Sequence, residues 1–173
     1  KRGTQVLENL LLLARLDPSN PADLPKADID LADVMFEVRQ ALAPFIQQKN
    51  IQLTVDVPSS ALWANSELLF TCLRNLVDNA VRYAQINGRL IVSTESDEQH
   101  ILWRIEDNGT DMTDEVLERL GERFYRALGT QTQGTGLGLS ICKKIIELHQ
   151  GTIEFSKSAL GGLCVKIYLP KKN

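Results

Sequence analysis

The amino-acid sequence predicts an α/β fold of two layers, in which three helices cover one face of a mixed β-sheet. Strand-like segments are concentrated in two runs, and three long helical segments are interleaved with them. Each helical segment carries apolar residues along one side, which is typical of a helix packed on a sheet. With 173 residues, of which 43% are hydrophobic, the chain is long enough to bury one core without metal ions or disulfides.

The spacing of apolar residues assigns each element in turn. Apolar residues three and four positions apart predict helices, whereas strict alternation predicts strands. The predicted helices cover residues 32–48, 66–84 and 137–150, and the predicted strands cover residues 29–31, 51–57, 90–95, 101–107, 152–156 and 163–169. A shorter helix is predicted from Thr113 to Leu120, where Gly121 ends it. Residues 122–135 lack apolar periodicity and are rich in Gly, Thr and Gln, so they predict a long mobile loop.

The N-terminal region is predicted to be an appendage to the compact domain. Val6, Leu10 and Leu13 lie at helical spacing, and three prolines within residues 17–25 prevent that helix from continuing. The predicted organisation is a helix end over residues 1–17, a linker over residues 18–28 and a compact domain over residues 29–173. Because the chain begins without methionine and inside a helical pattern, we expect it to be a piece of a longer protein.

Composition narrows the classes of partner. The formal net charge of −3 gives no general attraction for nucleic acid, so we expect none as a partner. Cys72, Cys142 and Cys164 lie far apart among apolar residues, which favours buried free thiols over a metal site. No apolar run approaches the roughly 20 residues that span a bilayer, and the first residues lack the apolar core of a signal peptide.

Four polar residues form one stripe on the helix predicted at residues 66–84. Asn75, Asn79, Arg82 and Tyr83 stand at positions i, i+4, i+7 and i+8, which share one side of a helix. Most such stripes are only solvated, and the spacing alone leaves this alternative open. Two asparagines in register are nevertheless unusual, because asparagine is a mediocre helix former. Their amide oxygens suit Mg²⁺, while an arginine and a tyrosine suit the phosphates and the rest of a nucleotide.

An acidic residue at a predicted strand end precedes a glycine-containing turn. Asp107-Asn-Gly109 closes the strand predicted at residues 101–107. A carboxylate fixed there can accept a hydrogen bond from an exocyclic amine such as that of adenine. Asp-Asn-Gly is also an ordinary turn sequence, so the motif alone does not decide between the two interpretations.

A glycine-rich segment opens the last predicted helix. Gly134, Gly136 and Gly138 alternate with Thr135 and Leu137. The glycines permit close backbone approach, and the start of a helix presents free N–H groups to phosphate. The segment matches neither the phosphate-binding loop of P-loop NTPases nor the dinucleotide-binding fingerprint.

Taken in order along the chain, these motifs resemble the N, G1, F and G2 boxes of sensor histidine kinases, which belong to the GHKL superfamily of ATP-binding proteins. The F box is matched by residues 121–126, Gly-Glu-Arg-Phe-Tyr-Arg, which are similar to those of QseC-like and PmrB-like sensors. Four boxes in the right order form a specific signature. The resemblance covers residues 29–170 and implies the Bergerat, or GHKL, type of two-layer fold. Residues 12–17 similarly resemble the end of the dimerisation helix that precedes this domain in such kinases.

The resemblance implies a role for each matched residue. Catalytic roles are implied for Asn75, Asn79 and Arg126, with Asn79 as the Mg²⁺ ligand and Arg126 reaching the γ-phosphate. ATP binding is implied for Asn75, Asn79, Arg82, Tyr83, Asp107, Gly109, Phe124, Gly134, Thr135, Gly136, Leu137 and Gly138. The implied cofactors are ATP and Mg²⁺, and the implied reaction transfers the γ-phosphate of ATP to a histidine.

No acceptor histidine is identified within the sequence. His100 precedes a predicted strand, and His149 lies at a predicted helix end, where a positive imidazole is favourable and a structural role is expected. We therefore expect the acceptor upstream of Lys1. The resemblance further implies three partners, namely the protein's own phosphoacceptor and dimerisation helices, a response regulator, and a second copy in a homodimer of the full-length protein. It also implies the cytoplasmic domain of an inner-membrane protein.

One position departs from the family pattern. The G1 box usually has a second glycine two residues after the first, where this chain has Asp111. If that position needs a positive φ, aspartate costs about 1 kcal/mol more than glycine. We therefore expect nucleotide affinity to be altered, or the motion of the lid, as we call the predicted loop over residues 122–135.

Three other functions stay open on the sequence. A GHKL ATPase of the gyrase, Hsp90 or MutL kind needs a glutamate base one helical turn before the metal-binding asparagine, where this chain has Asn75. A neutral amide cannot activate water as a base, so hydrolysis is disfavoured. An anti-sigma serine kinase is disfavoured by the linker and the leading helix. A non-catalytic nucleotide-sensing module is indicated only by Asp111.

Overall fold

The computed structural model describes residues 24–109, 113–126 and 135–171, with the side chains of residues 121–140 excepted. Its strands are β1 (Ala27–Asp30), β2 (Gln52–Asp56), β3 (Ala61–Ala64), β4 (Arg89–Ser96), β5 (His100–Asp107), β6 (Thr152–Lys157) and β7 (Leu163–Pro170). Its helices are α1 (Leu31–Gln48), α2 (Ser66–Tyr83), α3 (Asp114–Arg126) and α4 (Thr135–Leu148). The predicted helix end over residues 1–17 lies outside the described residues, as does the linker up to residue 23.

Five strands form one mixed sheet in the order β2-β4-β5-β7-β6. Strand β2 pairs with β4 in parallel, and the remaining neighbours pair antiparallel. Strands β1 and β3 form a separate antiparallel pair. Since helices pack on one face of the mixed sheet, the predicted two-layer α/β fold is confirmed.

The core lies between the sheet and the helices. In β5 the buried residues Ile101, Trp103 and Ile105 alternate with partly exposed ones, so one face of the strand points into the core. Helix α2 lies between α1 and α4 and packs against both. It contributes a dense set of buried side chains, namely Leu68, Leu69, Phe70, Cys72, Leu73, Leu76, Val77 and Val81. This packing fixes the orientation of the opposite, polar side of α2.

The structure differs from the prediction at two elements, β3 and α3. Strand β3 was not predicted, because its four residues are too few for an alternation of apolar residues to stand out. Helix α3 continues through Gly121 to Arg126, so the prediction that Gly121 ends it is wrong. A single glycine inside a helix costs only about 1 kcal/mol, and the helix-favouring Glu122 and Arg123 follow it. Residues 122–126 of the predicted loop are therefore helical, and the rest of that loop lies outside the described residues.

Two further features of the described chain are the state of its cysteines and the hydropathy of its helices. Cys72, Cys142 and Cys164 are buried free thiols, as predicted. Among the described residues, no helix combines the length and the apolar character that crossing a bilayer requires.

His149 joins the end of α4 to the start of α2. It is buried, its Nδ1 lies 2.8 Å from the carbonyl oxygen of Ile145, and its Nε2 lies 3.1 Å from the backbone N–H of Asn65. Because Nε2 accepts the Asn65 N–H, the ring is neutral and Nδ1 donates to Ile145. Burial lowers the pKa of His149 below its usual value. The structural role is confirmed, but the positively charged imidazole predicted at the helix end is wrong.

We expect the free energy of unfolding to decrease as the pH falls below about 6.5, the ordinary pKa of histidine. The unfolded chain binds a proton at that pH, whereas the folded chain, with its lowered pKa, does not. The contribution of neutral His149 is therefore complete above the unfolded pKa and is lost as the pH falls through the folded one. Urea unfolding at pH 7.5 and pH 5.5 measures this pH dependence of the free energy of unfolding. The dependence should flatten in His149→Gln and persist in His100→Gln; an identical dependence in His149→Gln and the wild type would contradict the assignment.

Candidate nucleotide-binding site

The polar stripe of α2 runs from the edge of the core to solvent. Asn65 caps the helix by accepting the N–H of Leu68, and the buried side of α2 then fixes its rotation. Asn75 and Asn79 are half-buried. Arg82 and Tyr83 are exposed in the last turn, with 58% of the Tyr83 surface accessible. Exposure to solvent therefore increases along the four residues predicted to share one helix side. The two neutral amides lie nearer the core, and the cation and the ring lie at the surface.

Arg82 forms an ion pair with Asp78 that sequence reasoning missed. The Arg82 Nη2 and Asp78 Oδ2 atoms are 2.8 Å apart, four residues along one helix. The spacing i, i+4 is the pattern that predicts such a pair. Because more than half of the Arg82 side chain is accessible, the pair is solvent-screened and contributes little to stability. A phosphate group that approaches Arg82 has to compete with the Asp78 carboxylate.

A buried thiol links helix α4 to helix α2. Cys142 on α4 donates to the backbone oxygen of Cys72 on α2 at 3.4 Å. The neighbouring Cys72 thiol, followed by burial, raises the pKa of the Cys142 thiol well above its usual value, and the Asn75 side chain partly offsets the effect. The thiol is thus neutral, and it joins α2, one turn before Asn75, to the helix that Thr135 begins.

Asp107 ends β5 with one carboxylate oxygen fixed. Oδ1 accepts the backbone N–H of Gly109 at 2.9 Å and that of Leu163 at 3.4 Å. Burial raises the pKa of Asp107, and these two hydrogen bonds partly offset the effect. In the described part of the chain, both hydrogen bonds of the carboxylate end on Oδ1, which leaves Oδ2 as the acceptor for a ligand.

Gly109 brings the Asp107 turn against the end of α2. A Cβ atom at Gly109 would lie 3.1 Å from the carbonyl oxygen of Tyr83 and 3.3 Å from the Cα atom of Ala84. The side chain of Gln85 reaches back and donates to the carbonyl oxygen of Gly109 at 3.3 Å. The close approach explains the glycine, and it places the carboxylate turn beside the turn of α2 that carries Arg82 and Tyr83.

Gly162, in the turn between β6 and β7, is a further site residue that sequence reasoning missed. Its N–H donates to the backbone oxygen of Asp107 at 3.1 Å, and a Cβ atom there would lie 2.5 Å from that oxygen. The same Cβ would also overlap Asp107 Oδ1. The Gly161-Gly162 pair in the sequence was the available indication of a tight backbone contact.

We expect Gly162→Ala to lower both stability and ATP affinity. The added methyl group displaces the Asp107 carboxylate or the turn, and overpacking of this kind typically costs about 1–3 kcal/mol. Gly161→Ala is the matched control, because Gly161 has a φ of +108° but open space around its Cβ position. It should cost about 1–2 kcal/mol in backbone strain and leave ATP affinity unchanged. Urea unfolding and calorimetric ATP titration measure the two effects; equal ATP affinities in both variants would count against the role of Gly162.

The other predicted site residues lie in or beside α3 and α4. Phe124 and Arg126 belong to the last turns of α3, and their side chains lie outside the described set. Helix α4 starts at Thr135, close to the predicted position, so Thr135, Gly136, Leu137 and Gly138 form its first turn. Gly134 and Asp111 lie outside the described residues. The structure thus brings the Asp107 turn against the end of α2 that carries Arg82 and Tyr83, and the contacts of the residues in and beside the predicted loop remain predictions.

Comparison with known proteins places this fold in one class. Residues 64–173 match the family model of the histidine kinase-, DNA gyrase B-, and HSP90-like ATPases, and the chain belongs to this family. Within it, the catalytic domain is of the histidine kinase type, as its sequence relatives and structural neighbours indicate.

Two curated relatives and two solved structures illustrate the likeness. The chain is 38% identical to the sensor protein kinase PmrB of Pseudomonas aeruginosa, over 99% of this chain and 36% of that protein. It is 35% identical to the sensor protein QseC of Escherichia coli K12, over 96% of this chain and 36% of that protein. The catalytic domain of histidine kinase ThkA superposes with a TM-score of 0.74 at 27% identity, over 87% of this chain and 100% of that one. The cytoplasmic segment of histidine kinase QseC gives a TM-score of 0.63 at 28% identity, over 97% of this chain and 92% of that one.

Proposed function

We propose that this chain is the ATP-binding catalytic part of a sensor histidine kinase, which transfers the γ-phosphate of Mg-ATP to a histidine on a helical domain upstream of Lys1. The chain spans 36% of the length of the PmrB and QseC relatives, so the activity of the whole protein belongs to the proposal. The observation that carries it is the fixed Asp107 carboxylate, whose Oδ1 is held by two backbone N–H groups and whose turn lies against the last turn of α2.

Asp107 selects the base in this proposal. With Oδ1 held by two backbone N–H groups, the carboxylate cannot rotate away, and Oδ2 accepts the exocyclic amine of adenine. The backbone of Tyr83 lies against the Gly109 turn, and its accessible ring provides an apolar surface for the base or the sugar. Guanine has a carbonyl oxygen where adenine has this amine. That oxygen would face the carboxylate oxygen, so guanine is selected against.

The residues near the phosphates fit a magnesium ion. Among the described residues, no group of three or more His, Cys, Asp or Glu side chains is placed to hold a metal. Mg²⁺ usually keeps several waters and binds through substrate phosphates with few protein ligands, and the half-buried amide of Asn79 suits that role. When bound, the ion neutralises charge on the transferred phosphoryl group. Asn75 lies one helical turn before Asn79, and Arg82 can reach the phosphates in competition with its partner Asp78.

The remaining roles are proposed on the family resemblance. Gly134, Gly136 and Gly138 let the lid approach the phosphates, with Thr135 and Leu137 between them, and the first turn of α4 presents free N–H groups. Phe124 anchors the lid, and Arg126 supplies a cation to the γ-phosphate. The proposed partners are the upstream phosphoacceptor and dimerisation helices, a second copy of the full-length chain and a response regulator. The proposed location is the cytoplasmic side of an inner membrane.

Phosphate tracing distinguishes this function from the alternatives. The chain is mixed with Mg-ATP labelled in the γ-phosphate and with a separately produced acceptor-helix domain. Label on a histidine of that domain supports the kinase. Free phosphate without labelled histidine supports a hydrolytic ATPase, which Asn75 disfavours because an amide is no base. Binding of ATP without either product supports a nucleotide-sensing module and overturns the kinase.

A further inference from the structure

Lys49 completes the C-terminal end of helix α2 from another part of the chain. Its Nζ donates to the backbone oxygens of Val81 at 3.0 Å, Arg82 at 2.6 Å and Ala84 at 2.9 Å. An ammonium group has three N–H donors, and each one is used here. The last carbonyls of a helix have no partner within the helix and carry the negative end of its dipole, so a cation is favourable there.

Helix α2 depends on this cation because its own sequence provides no ordinary cap. Many helices end on a glycine in the left-handed conformation, whose N–H groups satisfy the last carbonyls. Here Ala84 is the C-cap with an extended backbone, φ −70° and ψ 152°, and its N–H makes a single bond to Val81. The lysine therefore replaces a local cap with a contact between residues more than 30 positions apart.

Lys49 is itself held from both sides. It follows the last residue of α1, where its N–H donates to the carbonyl oxygen of Phe45 at 3.3 Å. Its own carbonyl oxygen accepts the N–H of Asn87 at 2.8 Å, and Asn50 donates to the side-chain oxygen of Asn87 at 2.7 Å. The segment after α1 and the segment after α2 are thus fastened to each other around the ammonium group.

The same turn of α2 forms the border of the nucleotide site. The Tyr83 carbonyl oxygen touches the Gly109 turn, while the carbonyl oxygens of its neighbours Arg82 and Ala84 bind Lys49. The last turn of α2 is therefore clamped between Lys49 and the turn that carries Asp107. We propose that Lys49 is a positioning residue, which sets the distance between the α2 stripe and the Asp107 carboxylate without touching the nucleotide. This inference rests on the proposed function, because it assumes that both surfaces bind one ATP.

Removal of the charge tests the clamp. In Lys49→Met we expect the Kd for Mg-ATP, measured by calorimetry on the whole 173-residue chain, to rise about tenfold, which corresponds to about 1.4 kcal/mol. With the acceptor-helix domain added, KM for ATP should rise with little change in kcat, since the clamp acts on binding. Lys49→Arg keeps the charge and several donors, so it should restore the Kd to within about threefold of the wild type. Lys166→Met removes the same charge on β7, remote from α2, and should leave the Kd unchanged.

The outcomes separate this inference from the proposed function. If the wild type does not bind Mg-ATP, the proposed function fails. If the wild type binds and a folded Lys49→Met has the same Kd and KM, the positioning role fails, because a merely structural role lowers the melting temperature without changing the affinity of folded molecules. Should Lys49→Met be unfolded at the assay temperature, Lys49→Gln is measured in the cold against the same criterion. An unchanged Kd there equally overturns the role.

Discussion

Replacing Asp107 with asparagine is expected to weaken ATP binding by about 100-fold, or about 2.7 kcal/mol. The amide oxygen can still accept the N–H groups of Gly109 and Leu163, so the turn keeps its two hydrogen bonds. The amide nitrogen then occupies the place of Oδ2 and points a donor at the amine of adenine. A lost charge-assisted hydrogen bond combined with two opposed donors accounts for an effect of this size.

The stability of Asp107→Asn, unlike its ATP affinity, is expected to be unchanged or higher than that of the wild type. Burial raises the folded-state pKa of Asp107. The protonated carboxyl group therefore stabilises the folded state at low pH, and this contribution to the free energy of unfolding is lost as the pH rises through the raised pKa. A neutral amide has no such loss, and at neutral pH Asp107→Asn should unfold at the same urea concentration as the wild type or a higher one. Calorimetric titration with ATP and with GTP measures selectivity, which should nearly disappear. Asp56→Asn, exposed at the end of β2, is the matched control. Strong ATP binding by a folded Asp107→Asn would refute the role of Asp107.

Replacing Asn79 with alanine is expected to slow phosphoryl transfer by about 1000-fold. The amide is the proposed protein ligand of Mg²⁺, and charge stabilisation by a bound metal is worth several kcal/mol in the transition state. Since Asn79 is only half-buried on the polar side of α2, and alanine favours helix, the variant should fold normally. The rate is measured as transfer of labelled phosphate to the acceptor-helix domain at saturating ATP.

The dependence on magnesium gives a second measurement on the chain alone. ATP affinity of the wild type should increase with Mg²⁺ concentration, and Asn79→Ala should need much more Mg²⁺ for the same gain. Gln99→Ala removes an exposed amide from the turn between β4 and β5 and should behave as the wild type. If Asn79→Ala leaves both nucleotide binding and transfer unchanged, the metal assignment is wrong.

Local patterns predicted the elements that carry the site. The i, i+4 spacing of Asn75 and Asn79 was sufficient to put them on one side of α2, and the glycine pattern around Gly136 indicated the start of α4. The strand that ends at Asp107 followed from simple alternation. Such features depend on neighbours within two turns of helix or a few residues of strand, and therefore they can be recognised in one sequence.

The features that escaped prediction depend on residues distant in the chain. Lys49 reaches α2 across more than 30 residues, and Leu163 reaches Asp107 across 56 residues. The end of α3 was also mispredicted, because Gly121 indicated a stop although one glycine costs a helix only about 1 kcal/mol. For His149, residue type and helix position indicated a positive charge, whereas burial against the N–H of Asn65 makes the ring neutral.

The contact between Leu163 and Asp107 also constrains when the site is completed during synthesis. The second N–H that holds the Asp107 carboxylate comes from β7, the last strand of the described chain. Strand β2, moreover, joins its parallel neighbour β4 only after α2 has crossed between them, since parallel strands need a long connection. A nascent chain that has emerged only as far as Asp107 thus has helix α2, with Asn75 and Asn79, but no backbone N–H yet holds the Asp107 carboxylate. On the proposed role of Asp107, we therefore expect nucleotide to stabilise the chain only after β7 has joined the sheet.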